Sequence, residues 1–263
     1  MFTVTKYPQG TFCWADLTST DAATAKAFYM AVLDWQADDL PTDIGVDYTM
    51  FSRDGHHVAA LSQMMPQMAA QGVSSMWNSY IAVDDVDAMS EKIAELGGKV
   101  IMPGFDVMDQ GRMLVFSDPT GATVSLWQGV KHIGSGLVNT PGAMSWNELA
   151  TRDPQAASDF FNKLFGWQCE KLPEMDYWTY ANNGRMNGGM ILMNEEWEGL
   201  PPHWMVYFTV ADIDATLEKI TANGGTVHVP VFEADAGRMA VVADPTGATF
   251  SLIQSDKMDP WTE

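Results

Sequence analysis

Asp118-Pro119-Thr120-Gly121-Ala122-Thr123-Val124-Ser125-Leu126 returns 126 residues later as Asp244-Pro245-Thr246-Gly247-Ala248-Thr249-Phe250-Ser251-Leu252. Upstream of each copy, Gly111-Arg112-Met113 matches Gly237-Arg238-Met239 at the same spacing. Further out, Trp77 and Tyr80 match Trp204 and Tyr207. Trp14-Ala15-Asp16-Leu17 matches Trp146-Asn147-Glu148-Leu149, and Asp21 to Phe28-Tyr29 matches Asp153 to Phe160-Phe161. Landmarks kept in one order with small changes of spacing mean duplicated domains. The expected division is a domain over 1–130, a linker over 131–141 inside the Gly-rich stretch Gln128–Gly142, a second domain over 142–255 and a tail over 256–263.

Each half reads alike. A short strand, Thr11–Leu17 or Ala143–Ala150, precedes a helix opened by an Asp cap: Asp21 before Ala22–Leu33, and Asp153 before Pro154–Phe165. An Asp side chain satisfies free N–H groups at a helix start, and Pro is tolerated at the first helical position. Short strands such as Asp47–Ser52 and Val58–Met64 follow. A second unit begins with the alternating strand Trp77–Val83, and its helix Val86–Leu96 stops at Gly97-Gly98. Asp-Pro-Thr-Gly is the hairpin turn between the last two strands. Each half is therefore βαβββ twice over, an α+β chain.

Composition narrows the function. Hydrophobic residues make up 46% of the 263, enough to fill real cores. Fourteen Lys and Arg against 34 Asp and Glu give a net charge of −20. Nucleic acid, which needs a basic footprint, and anionic membranes are disfavoured as partners. No apolar run reaches the roughly 18 residues of a membrane span, and the N-terminus carries no apolar targeting core, so a cytoplasmic location is expected. Cys13 and Cys169 lie far apart and belong to no metal-binding motif, so two free thiols are expected.

The strand, the Asp-capped helix ending in Phe-Tyr, and the terminal Asp-Pro-Thr-Gly hairpin together resemble the vicinal oxygen chelate superfamily. That group spans glyoxalase I, extradiol dioxygenases, and fosfomycin and bleomycin resistance proteins. The two-domain form is similar to actinobacterial glyoxalase-like proteins, among them a mycobacterial culture-filtrate antigen and proteins labelled hydroxylases. The resemblance implies that each pair of βαβββ units curls into a mixed-sheet cup. It also implies metal ligands (His, Gln or Glu) at the first and last strands of the units. Those positions fall here on Trp14, Asn78 and Ser125, on Trp146, Met205 and Ser251, and within Val58–Leu61 and Gly189–Leu192. None offers an imidazole or carboxylate, whereas a catalytic ion needs about three such donors. No metal and no other cofactor is therefore expected. A shift of register would bring in Asp16, Glu148, His203 or His56-His57.

Asp16 and Glu148 stand two residues beyond Trp14 and Trp146, hence on the same strand face. Lining a cup, each would be a catalytic acid–base candidate, and otherwise a partner for Arg112 or Arg238. Ligand-binding candidates are Trp14, Asn78, Tyr80, Arg112 and Ser125 in the first half, and Trp146, His203, Tyr207, Arg238 and Ser251 in the second. Asn78 against Met205 makes the first cup the more polar and the favoured one. The leading expectation is a protein binding an apolar or aromatic metabolite or antibiotic, or a cofactor-independent enzyme. One alternative is a metal-dependent glyoxalase-type lyase, isomerase or dioxygenase with unorthodox ligands. Another is a non-catalytic stress or surface-interaction protein. The chain is expected as a monomer or homodimer.

Overall fold

The computed structural model describes residues 2–42 and 45–257, so 258–263 of the expected tail lie outside it. The first half runs β1 (Phe2–Thr3), β2 (Phe12–Ser19), α1 (Ala22–Leu33), β3 (Gln36–Pro41), β4 (Asp47–Arg53), β5 (His56–Gln63), α2 (Pro66–Ala70), β6 (Met76–Ala82), α3 (Val86–Glu95), β7 (Lys99–Val107), β8 (Gly111–Ser117) and β9 (Thr123–Gly129). After β10 (Leu137–Val138), the second half runs β11 (Met144–Thr151), α4 (Pro154–Phe165), β12 (Gln168–Lys171), β13 (Tyr177–Asn182), β14 (Arg185–Leu192), β15 (His203–Thr209), α5 (Ile213–Ala222), β16 (Thr226–Ala234), β17 (Gly237–Ala243) and β18 (Thr249–Gln254).

Two eight-stranded mixed sheets result, ordered β3-β4-β5-β2-β6-β9-β8-β7 and β12-β13-β14-β11-β15-β18-β17-β16. The two halves thus repeat one topology, two βαβββ units each. The expected helix starts hold: Asp21 accepts from Thr24 N and Asp153 from Ala156 N, each at 3.0 Å. Both Asp-Pro-Thr-Gly turns join antiparallel strands, β8 to β9 and β17 to β18.

The sheets press their helix-bearing faces together, so both helix-side cores are shared between the halves. One core joins α1, Trp35 and Phe51 to Val206, Phe208, α5 and Phe250. The other joins Ile81, α3 and Phe116 to α4, Trp167, Tyr180 and Trp204. Helix contacts cross between halves, α1 with α5 and α3 with α4. At the centre Ser79 Oγ donates to Asn147 Oδ1 at 2.6 Å. Two indoles tie the halves reciprocally. Trp35 Nε1 donates to Gly142 O at 2.7 Å, and Trp167 Nε1 to Gly10 O at 2.8 Å.

The stretch read as a linker does more than connect. Leu137–Val138 pairs with Phe2–Thr3, and Val4, Tyr7 and Val138 pack with Trp14, Met50, Ala60, Tyr80 and Trp127. That cluster lies on the inner face of the first sheet, opposite its helices. Gly134 permits the approach. Its φ is +114°, and a Cβ there would stand 2.3 Å from Cys13 O. Both cysteines are free, as expected. Among the described residues no helix is long and apolar enough to cross a membrane.

Candidate functional site

Strand parity brings the expected residues to the inner faces. On β2, Trp14 and Asp16 point away from the helices, while Ala15 and Leu17 enter the helix-side core. Register sets Asp16 opposite Asn78, Trp14 opposite Tyr80, and Tyr80 opposite Ser125. Asn78 Nδ2 donates to Asp16 Oδ1 at 2.9 Å and lies 3.1 Å from Thr18 Oγ1. Tyr80 Oη donates to Asp16 Oδ2 at 2.8 Å, and Tyr48 Oη donates to the same atom at 3.1 Å. Trp14 Nε1 in turn donates to Tyr48 Oη at 3.4 Å.

The second half rebuilds this cluster. Trp146 lies opposite Tyr207, Glu148 opposite Met205, and Tyr207 opposite Ser251. Tyr207 Oη donates to Glu148 Oε1 at 2.9 Å. Tyr177 also holds the carboxylate by a hydrogen bond, and accepts from Trp146 Nε1 at 3.0 Å. Gly189, beside Glu148 on β14, makes room for this. A Cβ there would stand 2.0 Å from Tyr177 Oη.

Burial raises both carboxyl groups above the ordinary range, and the tyrosine hydrogen bonds, with Asn78 at Asp16, oppose the rise. Burial first, then the neighbouring carboxylate, raises Tyr48, Tyr80, Tyr177 and Tyr207, so all four remain neutral donors. Tyr48 and Tyr177 are the members of the two clusters that strand parity around the Trp motifs does not reveal. They sit on outer strands, and their signal in the sequence is the repeated pair Asp47-Tyr48 and Asp176-Tyr177.

The inner faces differ in access. Trp14 is 3% exposed, Asp16 7% and Tyr80 6%, under the cover of Val4, Tyr7 and Val138. The His132 imidazole stands edge-on to Trp14, with centroids 4.5 Å apart, and Trp127 Nε1 donates to His132 O at 2.7 Å. Trp146 and Glu148 are half-buried. Trp14 and Asp16 of the first face are thus the more covered, and Trp146 and Glu148 of the second the less. The polar groups of the first face are spent on one another, and the chain itself packs over them.

Arg112 and Arg238 do not join either cluster. They alternate to the helix side of β8 and β17. Arg112 pairs with Asp87 of α3 and with Asp106, both at 2.9 Å, and Arg238 pairs with Asp214 of α5 at 2.8 Å. They are corrected from ligand-binding to exposed surface pairs, which contribute little to stability. His203 shares the parity of Met205 and Tyr207 but lies at the rim, its Nδ1 2.9 Å from Pro201 O.

The fold family implies a divalent ion, and the donors present do not fit one. The inner faces offer Asp16 with Asn78, Tyr80, Ser125 and Ala60, or Glu148 with Met205, Tyr207, Ser251 and Gly189. Each set holds one carboxylate, already engaged by tyrosines. Among the described residues no three His, Cys, Asp or Glu converge on a point.

Known proteins share this architecture. CFP32 of Mycobacterium bovis, provisionally named a glyoxylase, is 43% identical over 254 residues, covering 95% of this chain and 96% of its own. The anthracycline biosynthesis protein DnrV of Streptomyces peucetius is 30% identical over 276 residues, covering 95% of both. Among solved structures, the Mn(II)-bound glyoxalase from Novosphingobium aromaticivorans superposes with a TM-score of 0.64 at 16% identity, over 96% of this chain and 86% of that one. The 2,3-dioxygenase LapB from Pseudomonas sp. KL28 gives 0.66 at 13% identity, over 96% and 97%. The Glyoxalase/Bleomycin resistance protein/Dioxygenase superfamily model matches residues 11–126 and 138–252, once in each half, and the chain belongs to that superfamily.

Proposed function

We propose that the chain binds a small apolar or aromatic molecule on the inner face of its second half. It does so without the divalent ion of its fold relatives, and Glu148 is the acid–base group of any reaction there. The observation that carries this reading is the Glu148 carboxyl, held by Tyr177 and Tyr207 beside the half-buried Trp146 and Met205. Apolar walls with a few polar groups suit a small ligand. A carboxyl raised by burial is a better proton acceptor near neutral pH than an exposed one. The Tyr207 hydroxyl fixes which oxygen faces the ligand and steadies the carboxylate once a proton has left.

The names of the relatives point to two ligand classes. The name of DnrV points to flat, fused aromatic rings, and that of CFP32 to a small carbonyl compound. Trp146 and Met205 favour the former, because indole and thioether surfaces pack against aromatic faces and edges.

Two measurements test the reading. Elemental analysis of purified protein should give well under one equivalent of any transition metal. Mass spectrometry of molecules released on denaturation should find an aromatic compound, bound by the wild type and lost from Trp146→Ala. Near one equivalent of metal, removable by chelator with loss of the bound molecule, would overturn it.

A further inference from the structure

Duplication makes one half a template for the other. In the first half the Asp16 carboxylate receives bonds on both oxygens, Oδ1 from the Asn78 amide and Oδ2 from Tyr48 and Tyr80. In the second half Tyr177 and Tyr207 repeat the two phenols, but Met205 stands where Asn78 does, directly opposite the carboxylate. A thioether donates nothing. Among the described residues the amide donor has no counterpart in the second half.

The first half also holds a ring over its Trp. The His132 imidazole meets Trp14 at 83°. Burial lowers its pKa to about 4, so the ring is neutral. Trp146, equivalent to Trp14, is half-buried. Residues two apart on a strand stand about 7 Å apart. A single molecule of two fused rings spans that distance.

We propose that the ligand of the second inner face is a planar aromatic molecule bearing a hydroxyl. Its ring edge rests on Trp146 as His132 rests on Trp14, and its hydroxyl donates to Glu148 as Asn78 donates to Asp16. The proposal rests on the reading above that this face is a ligand site, and adds the donor and its position. A ring of the same size without a donor would bury the same apolar surface and leave the carboxylate one bond short.

The test is equilibrium dialysis of the full chain against 2-naphthol and 2-methoxynaphthalene, which differ by the methyl that removes the donor. The wild type should bind 2-naphthol tighter by roughly ten- to a hundredfold, the worth of a hydrogen bond to a charged acceptor. Met205→Asn supplies the missing amide from the chain, and should bring the two probes within about threefold of each other. Equal binding of both probes by the wild type overturns the donor while leaving an apolar site. Binding of neither up to their solubility overturns the donor and the site together. Full preference retained in a folded Met205→Asn overturns the position assigned to the hydroxyl. If that variant unfolds, the wild-type pair still decides.

Discussion

Tyr29 and Phe161 occupy equivalent places in the two halves, and one oxygen atom separates them. Tyr29 Oη accepts from Trp77 Nε1 at 2.9 Å and donates to Asp244 Oδ2 at 3.2 Å, a relay that runs from one half into the other. Around Phe161 the Trp recurs as Trp204, Asp118 is the counterpart of Asp244 in the repeated turn, and the rings keep their geometry. The centroids are 5.2 Å apart at 85° for Tyr29 and Trp77, and 5.5 Å apart at 80° for Phe161 and Trp204. Yet among the described residues Trp204 Nε1 and Asp118 Oδ2 are buried and find no partner. Burial raises the Asp118 carboxyl, against hydrogen bonds from Thr120, Ala122 and Gly121. The cups teach the same lesson: backbone and ring positions are copied, while hydrogen-bond networks are completed in one copy and left open in the other.

The largest effect should separate the two indoles. Trp14→Ala opens a cavity in the packed inner face of the first half and should cost about 3–5 kcal/mol. Trp146→Ala removes a half-buried ring, and its loss in urea unfolding should be the smaller. Equal losses would break the distinction between a filled and an accessible face. Next comes Tyr29→Phe, which creates in the first relay the two orphans that the second already has. It should cost about 2 kcal/mol, a fall in Tm of roughly 4–8 °C by calorimetry. The reverse change, Phe161→Tyr, should raise stability by about 1 kcal/mol, since one hydroxyl can reach both orphans. A lower Tm for this variant would mean that the two ring sites are not equivalent in shape.

The smallest effect concerns pH. The native Asp118 carboxyl titrates above its unfolded value, so the folded state holds the proton more tightly. Its contribution is fully present below the unfolded pKa of about 4 and is lost as pH rises through the native value. The stability of wild type relative to Asp118→Asn should therefore fall from acid toward neutral pH. Phe161→Tyr should flatten that fall, because the new hydroxyl donates to the charged form. A gap that widens with pH in favour of wild type would contradict the direction assigned to Asp118.

Much of this was legible in sequence because duplication supplies its own alignment. The Asp caps at Asp21 and Asp153, the turns at Asp118 and Asp244, and the shared face of Trp14 and Asp16 all follow from local chemistry and strand parity. Tyr48 and Tyr177 escaped, since parity says which side of a strand a residue faces but not which distant strand arrives beside it. Arg112 and Arg238 were misplaced for a related reason. Repetition showed that each has a fixed partner, and only the parity of β8 and β17 against α3 and α5 shows that the partner lies on the helix side. The filling of the first inner face was illegible, because Val4, Tyr7 and His132 carry no periodic signal and reach Trp14 from the N-terminal segment and from a glycine-permitted loop.

The reciprocal bonds from Trp35 to Gly142 and from Trp167 to Gly10 make the chain equivalent to two subunits of a symmetric dimer joined end to end. In a dimer of identical chains, every substitution appears at both sites simultaneously, and a change useful at one is imposed on the other. Joined in one polypeptide, the copies mutate separately while each still completes its neighbour's core. Asn78 beside Met205, and Tyr29 beside Phe161, are differences that identical subunits could never carry.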